Sequence, residues 1–283
     1  MTNTCVMFVG AGDLAGRAIT QLQTAAPDKR PNCIAISRSA KQWQGAQVWQ
    51  GDVADAPLLA KLVAAKPAVV VVTLVPNGEG EAGYRRGYYE PLQALVAALV
   101  KAEQNPLIIF ASSTGVYHQT EGEWVDEQSS TEPTQYSGQC MLACEQLLAA
   151  SNLPFCSVRF GGIYGPRREF LIRQVQAGKG GGDDYSNRIH SDDAAGVLVF
   201  LIQRYLSRQV IAPLLVACDS LPATSREVRI YISQQLGMDT LQLQSSDSGR
   251  GGNKRCSNQL LLALGYVFLY PSFIEGYKNA AVY

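Results

Sequence analysis

The stretch that decides the fold is Val6–Gly16, VMFVGAGDLAG. An apolar run ends on a glycine, a second glycine stands two residues on, and a helical pattern follows at once. Gly10, Gly12 and Ala15 fit the spacing G-x-G-x-x-A. In that spacing the first glycine permits a tight strand-to-helix turn. The second lets the backbone approach a pyrophosphate, and the small third residue lets helix and strand pack closely. The amides of Asp13 and Leu14 then stand at a helix N-terminus, whose dipole favours an anion. The expectation is a dinucleotide with its phosphates over Gly10, Gly12, Asp13 and Leu14.

Outward from this turn, short apolar runs recur at Cys5–Val9, Cys33–Ile36, Val69–Leu74, Leu107–Ala111, Phe155–Phe160 and Leu214–Cys218. They are apolar throughout rather than alternating, as strands buried on both faces of a parallel sheet are. Helical stretches lie between the earlier ones, at Leu14–Thr24, Pro57–Ala64, Tyr84–Ala102 and Ser137–Ala150. Alternating strands and helices predict an α/β fold, a Rossmann-type doubly wound parallel sheet with a small C-terminal lobe. The glycine-rich, polar segments Arg167–Ser186 and Ser245–Lys254 read as mobile loops. A short helix is expected over Asn258–Leu264, with Ser257 as N-cap and Gly265 as stop.

The 283 residues fit one large domain, or a domain with a smaller lobe. Lys and Arg (24) balance Asp and Glu (24), which points to neither nucleic acid nor a membrane surface. No apolar run approaches the roughly 20 residues of a spanning helix. The N-terminus lacks a basic segment and runs straight into a strand, so no signal peptide is expected. Seven scattered cysteines and no C-x-x-C pair indicate free thiols in a reducing cytoplasm. With two histidines, His118 and His190, no metal site is expected.

The end of the second strand bears on the cofactor. NAD binders place a carboxylate there to hold the ribose hydroxyls. Here Ile36 is followed by Ser37, Arg38 and Ser39. Ser37 and Arg38 can instead hold a 2′-phosphate by charge-assisted hydrogen bonds. NADP is therefore preferred, with NAD the alternative.

Six motifs then follow in order: GAGDLAG, GDVAD (Gly51–Asp55), VVVVTLVP (Val69–Pro76), FASSTGVY (Phe110–Tyr117), RFGGIYGP (Arg159–Pro166) and RIHSDDAAGVL (Arg188–Leu198). In this order the chain resembles the extended short-chain dehydrogenase/reductases, the NAD-dependent epimerase/dehydratase family, to about residue 200. The resemblance implies that Asp52, with Val53 beside it, meets the adenine, and that the strand ending at Leu74 passes the cofactor. It implies a nucleotide-sugar-like substrate held by a C-terminal lobe. The cofactor domain would take 1–162 and 187–220, and the lobe 163–186 and 221–283. Family members commonly form homodimers through two helices, here Tyr84–Ala102 and Ser137–Ala150. The glycine spacing departs from the family's usual GxxGxxG and suggests its atypical branch.

The resemblance also implies a hydroxyl after the fifth strand and a tyrosine with a lysine four residues later. Ser113 takes the hydroxyl position, with Thr114 beside it. The tyrosine position falls on Ser137, or one residue earlier on Tyr136, whose i+4 residue is Cys140. No lysine occurs between Lys101 and Lys179. Candidate catalytic residues are thus Ser113, Thr114 and Tyr136. Tyr117, Tyr164 and Ser137 remain as other proton donors, and Arg86 or Arg85 as a phosphate contact. Two readings stand: an NAD(P)-dependent oxidoreductase or epimerase/dehydratase with a non-standard proton donor, or a catalytically inactive NADP(H)-binding sensor or regulatory protein.

Overall fold

A computed structural model describes residues 4–27, 30–39, 41–245 and 252–278. Its central feature is a seven-stranded sheet. Five strands carry the argument: β1 (Cys5–Val9), β2 (Asn32–Ser37), β3 (Ala46–Gln50), β4 (Val69–Val72) and β5 (Leu107–Ser113). The order is Leu214–Ala217, Phe155–Phe160, β5, β4, β1, β2, β3. β1 pairs in parallel with β2 and β4, β2 with β3, and β4 with β5. Connections run one way from β1 to β3 and the other way from β4, so the topological switch lies between β1 and β4. The apolar runs are buried as expected. Val6 to Val9 and all four residues of β4 are fully buried.

The chain divides into two compact units. Unit 1 comprises Met1–Ser112, Pro133–Val158 and Ala195–Leu214. Its helices include α1 (Asp13–Leu22), α2 (Ala56–Ala64), α3 (Gly80–Tyr84), α4 (Glu90–Lys101) and α5 (Tyr136–Ala149). The helix expected over Tyr84–Ala102 is present as a continuous helical run that starts earlier, at Gly80, and ends at Lys101, with a π-helical turn, Arg85–Tyr89, between α3 and α4. The strand at Ala46–Gln50 escaped sequence reading, because only Trp49 among its side chains is buried. As an edge strand it lacks the apolar run of a central one.

Unit 2 comprises Ser113–Glu132, Arg159–Ala194 and Leu215–Tyr283. Short strand pairs build it, among them Glu123–Val125 with Lys254–Cys256 and Gly162–Tyr164 with Arg188–His190. Its core gathers Tyr164, Ile172, Val175, Val228, Ile232, Phe273 and Tyr277. Two sequence expectations are corrected here. Arg167–Ser186 is not a loop: it contains a helix, Phe170–Gln176, and strands Lys179–Gly181 and Tyr185–Ser186. Ile172 and Val175 of that helix are buried, which anchors a segment whose flanking residues are polar or glycine. Of the second glycine-rich segment, residues 246–251 lie outside the described residues, while Lys254 begins a strand. The short helix runs Gln259–Ala263 with Asn258, not Ser257, at its N-cap. The Asn258 side chain instead donates to the Cys218 carbonyl and to Ser220.

Candidate functional site

The register of unit 1 aligns the strand ends. Val9 lies beside Ile36 and Val72, and Val72 beside Phe110. The residues that follow therefore form one rim at the C-terminal edge of the sheet, where open α/β sheets bind ligands. Gly10 turns the chain with φ +79°. Its amide and that of Ala11 donate to the Ile36 carbonyl at 3.0 and 2.8 Å. A Cβ on Gly10 would stand 2.8 Å from the Thr73 carbonyl oxygen, so this glycine is required for folding. Gly12 differs. A Cβ there would meet nothing nearer than 3.8 Å, so its face is open to an approaching group.

The rim encloses a cavity of about 410 Å³, within the usual range for small-molecule sites. Gly10, Gly12, Ser37, Arg38, Asp52, Val53 and Leu74 all line it. Asp13 and Leu14 open α1 immediately behind; Leu14 is buried, and the Asp13 carboxylate pairs with Arg17 at 3.2 Å. That pairing offsets a negative charge at the helix N-terminus. The lining adds Ser39, Lys41, Arg86 and Gly87. Lys41 escaped sequence reading because it lies in irregular chain after the strand. Gly87 lets the π-turn meet the loop after β4, since a Cβ there would stand 2.4 Å from the Val75 carbonyl oxygen.

The charges of this cavity are unbalanced: Arg38, Lys41 and Arg86 face a single carboxylate, Asp52. The Arg86 Nε–H donates to the Asn77 carbonyl, and Asp52 accepts from the Ala54 amide at 3.0 Å. The residues present suit a polyanion with an aromatic or ribose end: open backbone at Gly12, a helix N-terminus, and surplus cations. They thus fit a dinucleotide.

The candidate catalytic residues are placed as follows. Ser113 is half-buried at the end of β5, and its Oγ accepts from the Gly115 amide at 3.0 Å. Acceptance of that bond leaves the hydroxyl proton to donate elsewhere. Thr114 is buried at the start of the following 3-10 turn. In unit 1, Ser112 donates to the buried Glu145 carboxylate at 2.6 Å, which ties β5 to α5. Tyr136 is the first residue of α5 and exposed, its ring edge-on to Tyr84 at 5.4 Å. One turn on stands Cys140, half-buried, whereas Met141 is buried in the core. The open face of α5 therefore carries the Tyr136–Cys140 register rather than the Ser137–Met141 one. Tyr117 and Tyr164 are both buried, and their hydroxyls donate to the carbonyls of Asp126 and Ser272. Burial pushes the Tyr117 phenol up, only partly offset by Arg159. Neither is a free proton donor.

Comparison with known proteins extends this. The sequence pattern of the NAD(P)H-binding family matches residues 10–204. Protein YeeZ of Escherichia coli K12 is 28% identical over 229 residues, 77% of each chain. A Methylobacillus flagellatus structure, provisionally assigned as an NAD-dependent epimerase/dehydratase, is 30% identical with TM-score 0.81, covering 99% of both chains. A UDP-glucuronic acid 4-epimerase from Bacillus cereus, in complex with NAD, shares the fold at 16% identity. Its TM-score is 0.78, with 98% of this chain and 97% of that one covered.

Proposed function

This chain belongs to the NAD(P)H-binding family, among the NAD-dependent epimerases/dehydratases of the extended short-chain type, and from that premise we propose an NADP(H)-dependent oxidoreductase or epimerase/dehydratase acting on a nucleotide-sugar-like substrate. The observation that carries it is the surplus of cations in the unit 1 cavity. Among the described residues, the Arg38 and Lys41 side chains have no carboxylate partner. They would hold a 2′-phosphate, while Gly12 and the start of α1 take the pyrophosphate and Asp52 and Val53 the adenine end. When bound, the nicotinamide supplies or accepts the hydride. Ser113 donates its free proton to the substrate oxygen and so stabilises charge that develops there. Tyr136 stands on the open face of α5 as the proton donor or acceptor. A homodimer through α4 and α5 is part of the same proposal.

A second reading has its own support. The i+4 neighbour of Tyr136 is Cys140, so the helix supplies no cation to favour a phenolate. That favours a protein that binds NADP(H) without turnover.

Titration of NADP and NAD against the parent and Arg38→Asp tests the cofactor assignment. The parent should bind NADP ten- to a hundredfold more tightly, about 1.5–3 kcal/mol for a charged hydrogen-bond partner, and the variant should lose that margin. Equal affinities in the parent would refute it. A panel of nucleotide sugars with NADP then separates the readings: turnover that falls in Ser113→Ala supports an enzyme, and tight cofactor binding with no turnover supports the binding protein.

A further inference from the structure

Between β4 and α3 in unit 1 stands Asn77-Gly78, the single Asn–Gly pair of the chain. In such a pair the glycine nitrogen and the asparagine Cγ can close a five-membered ring, and no Cβ on the glycine obstructs the approach. Both residues are exposed. Neither the Asn77 side chain nor the Gly78 amide has a hydrogen-bond partner among the described residues. The backbone around these two unengaged groups is nonetheless held. The Asn77 amide donates to the Gly83 carbonyl at 2.8 Å, and the Arg86 Nε–H donates to the Asn77 carbonyl at 3.3 Å. A cation stands beside the pair as well: a Cβ added to Gly78 would lie 2.8 Å from Arg86 Nη2. Arg85, its neighbour, pairs with Glu90 at 3.3 Å, whereas Arg86 has no carboxylate partner among the described residues. The π-helical turn fixes this placement. Its Gly87 packs so closely on the loop that a Cβ there would stand 2.6 Å from the Asn77 nitrogen. Arg86 also lines the cavity of unit 1, so any new charge at Asn77 arises next to a cation of that cavity.

We propose that Asn77 is a self-modification site, which converts to isoaspartate and aspartate and sets a carboxylate beside Arg86 that weakens dinucleotide binding. The Gly78 nitrogen attacks the Asn77 Cγ and gives up its proton. The bond from Cγ to the side-chain nitrogen breaks, and ammonia leaves. The resulting succinimide takes up one water. Opening at Cγ gives aspartate; opening at the former main-chain carbonyl gives isoaspartate, whose chain runs on through Cβ. No electrons change hands, and water is the only co-reactant. The Arg86 guanidinium stabilises the negative charge that develops on the attacked carbonyl oxygen. The product carboxylate then pairs with Arg86, which leaves Arg38 and Lys41 as the unpaired cations of the cavity. The effect on the cofactor rests on the dinucleotide reading; the cyclisation does not.

The test incubates the full chain at mildly alkaline pH and digests it with trypsin beside a sample that was not incubated. Lys66 precedes proline and resists cleavage, so the diagnostic peptide is 62–85, in which Asn77 is the only Asn or Gln. That peptide should gain about 1 Da and separate into aspartate and isoaspartate forms. Arg86→Met should slow the gain severalfold, and Asn77→Gln, which would have to close a larger ring, should show none over the same period. The converted protein, and Asn77→Asp as made, should bind both NADP and NAD about tenfold more weakly than the parent. An unchanged peptide mass, under conditions that convert a synthetic peptide of residues 73–83, would overturn the modification. Parent affinity retained in both the converted protein and Asn77→Asp would overturn its effect on the cavity. Failure of the parent to bind either dinucleotide would sink the cofactor reading and that effect with it, while the mass shift still decides the chemistry. The mass measurement needs no variant, so a folding defect cannot obscure it.

Discussion

The two units fill their interiors with different material. In unit 1, Glu145 is the one buried charged side chain among the described residues; apolar residues of strand and helix fill most of the rest of the core. Unit 2 buries Arg159, Arg188, Asp193, Asp219, Arg229 and Lys254. Buried charge is costly unless it is hydrogen-bonded or paired. Asp193 accepts from the Leu269 and Tyr270 amides at 2.8 Å and from the Tyr266 hydroxyl at 3.0 Å. Arg229 donates to Ser225 and to the Lys179 carbonyl, and the Arg159 guanidinium lies over the Tyr117 ring. Unit 1 rests on distributed apolar burial, unit 2 on a few polar joints. Single substitutions should therefore be felt unequally.

The strongest test of that contrast is Asp193→Ala, which strips the carboxylate from the Leu269 and Tyr270 amides and leaves the Tyr266 hydroxyl only the residue 193 carbonyl. It should cost about 3–5 kcal/mol, read as a shifted urea midpoint. If Glu145→Ala costs as much, the contrast between the units fails.

The pH dependence of stability sharpens it further. Burial raises the Asp219 carboxyl to about 7 from its ordinary 3.8, against the pull of Arg188. Between those values the folded protein holds a proton that the unfolded chain has released. This contribution is therefore complete below about pH 4, declines as pH rises through about 7, and is gone above it. Melting curves from pH 4.5 to 8 should lose on the order of 2–4 kcal/mol over this window. Asp219→Asn should flatten the decline and be the more stable protein at pH 8.

Within unit 1 the two glycines of the turn differ in what an added Cβ would meet. Gly12→Val should weaken cofactor binding by about a hundredfold, near 2.7 kcal/mol, with little change in melting temperature. Gly10→Ala should instead lower stability, because its Cβ meets the Thr73 carbonyl. Unchanged cofactor affinity in Gly12→Val would remove the glycine turn from the site. The smallest effect belongs to Ser112→Ala. Loss of its bond to Glu145 should cost about 1–2 kcal/mol by urea unfolding, since the Glu145 carboxylate stays buried.

This difference in material also explains what could be read from the chain. β1 and Phe155–Phe160 coincide with their apolar runs, and α1, α2 and α5 begin within a residue of expectation. Each is a local pattern, and strands buried on both faces leave unbroken apolar runs. Gly10 and Gly12 were legible for the same reason: a tight turn into a helix is a demand on consecutive residues. Arg167–Ser186 reads as a loop because its helix is only seven residues long, its strands are two or three, and a glycine-rich run separates them. Such elements are held by partners far along the chain, as Lys179–Gly181 is by Gln244–Ser245.

By itself, then, the sequence determined the alternation of strands and helices, the glycine turn, and the lack of a carboxylate after β2. These depend on neighbouring residues and on backbone conformations that few residue types allow. Only the tertiary structure decided the strand order, the convergence of Arg38, Lys41 and Arg86 on one cavity, and that an added Cβ is blocked at Gly10 but not at Gly12. It also decided that Cys140, rather than Met141, takes the open face of α5. Those outcomes depend on strand register and on which helix face meets the core, and packing between residues distant in the chain sets both.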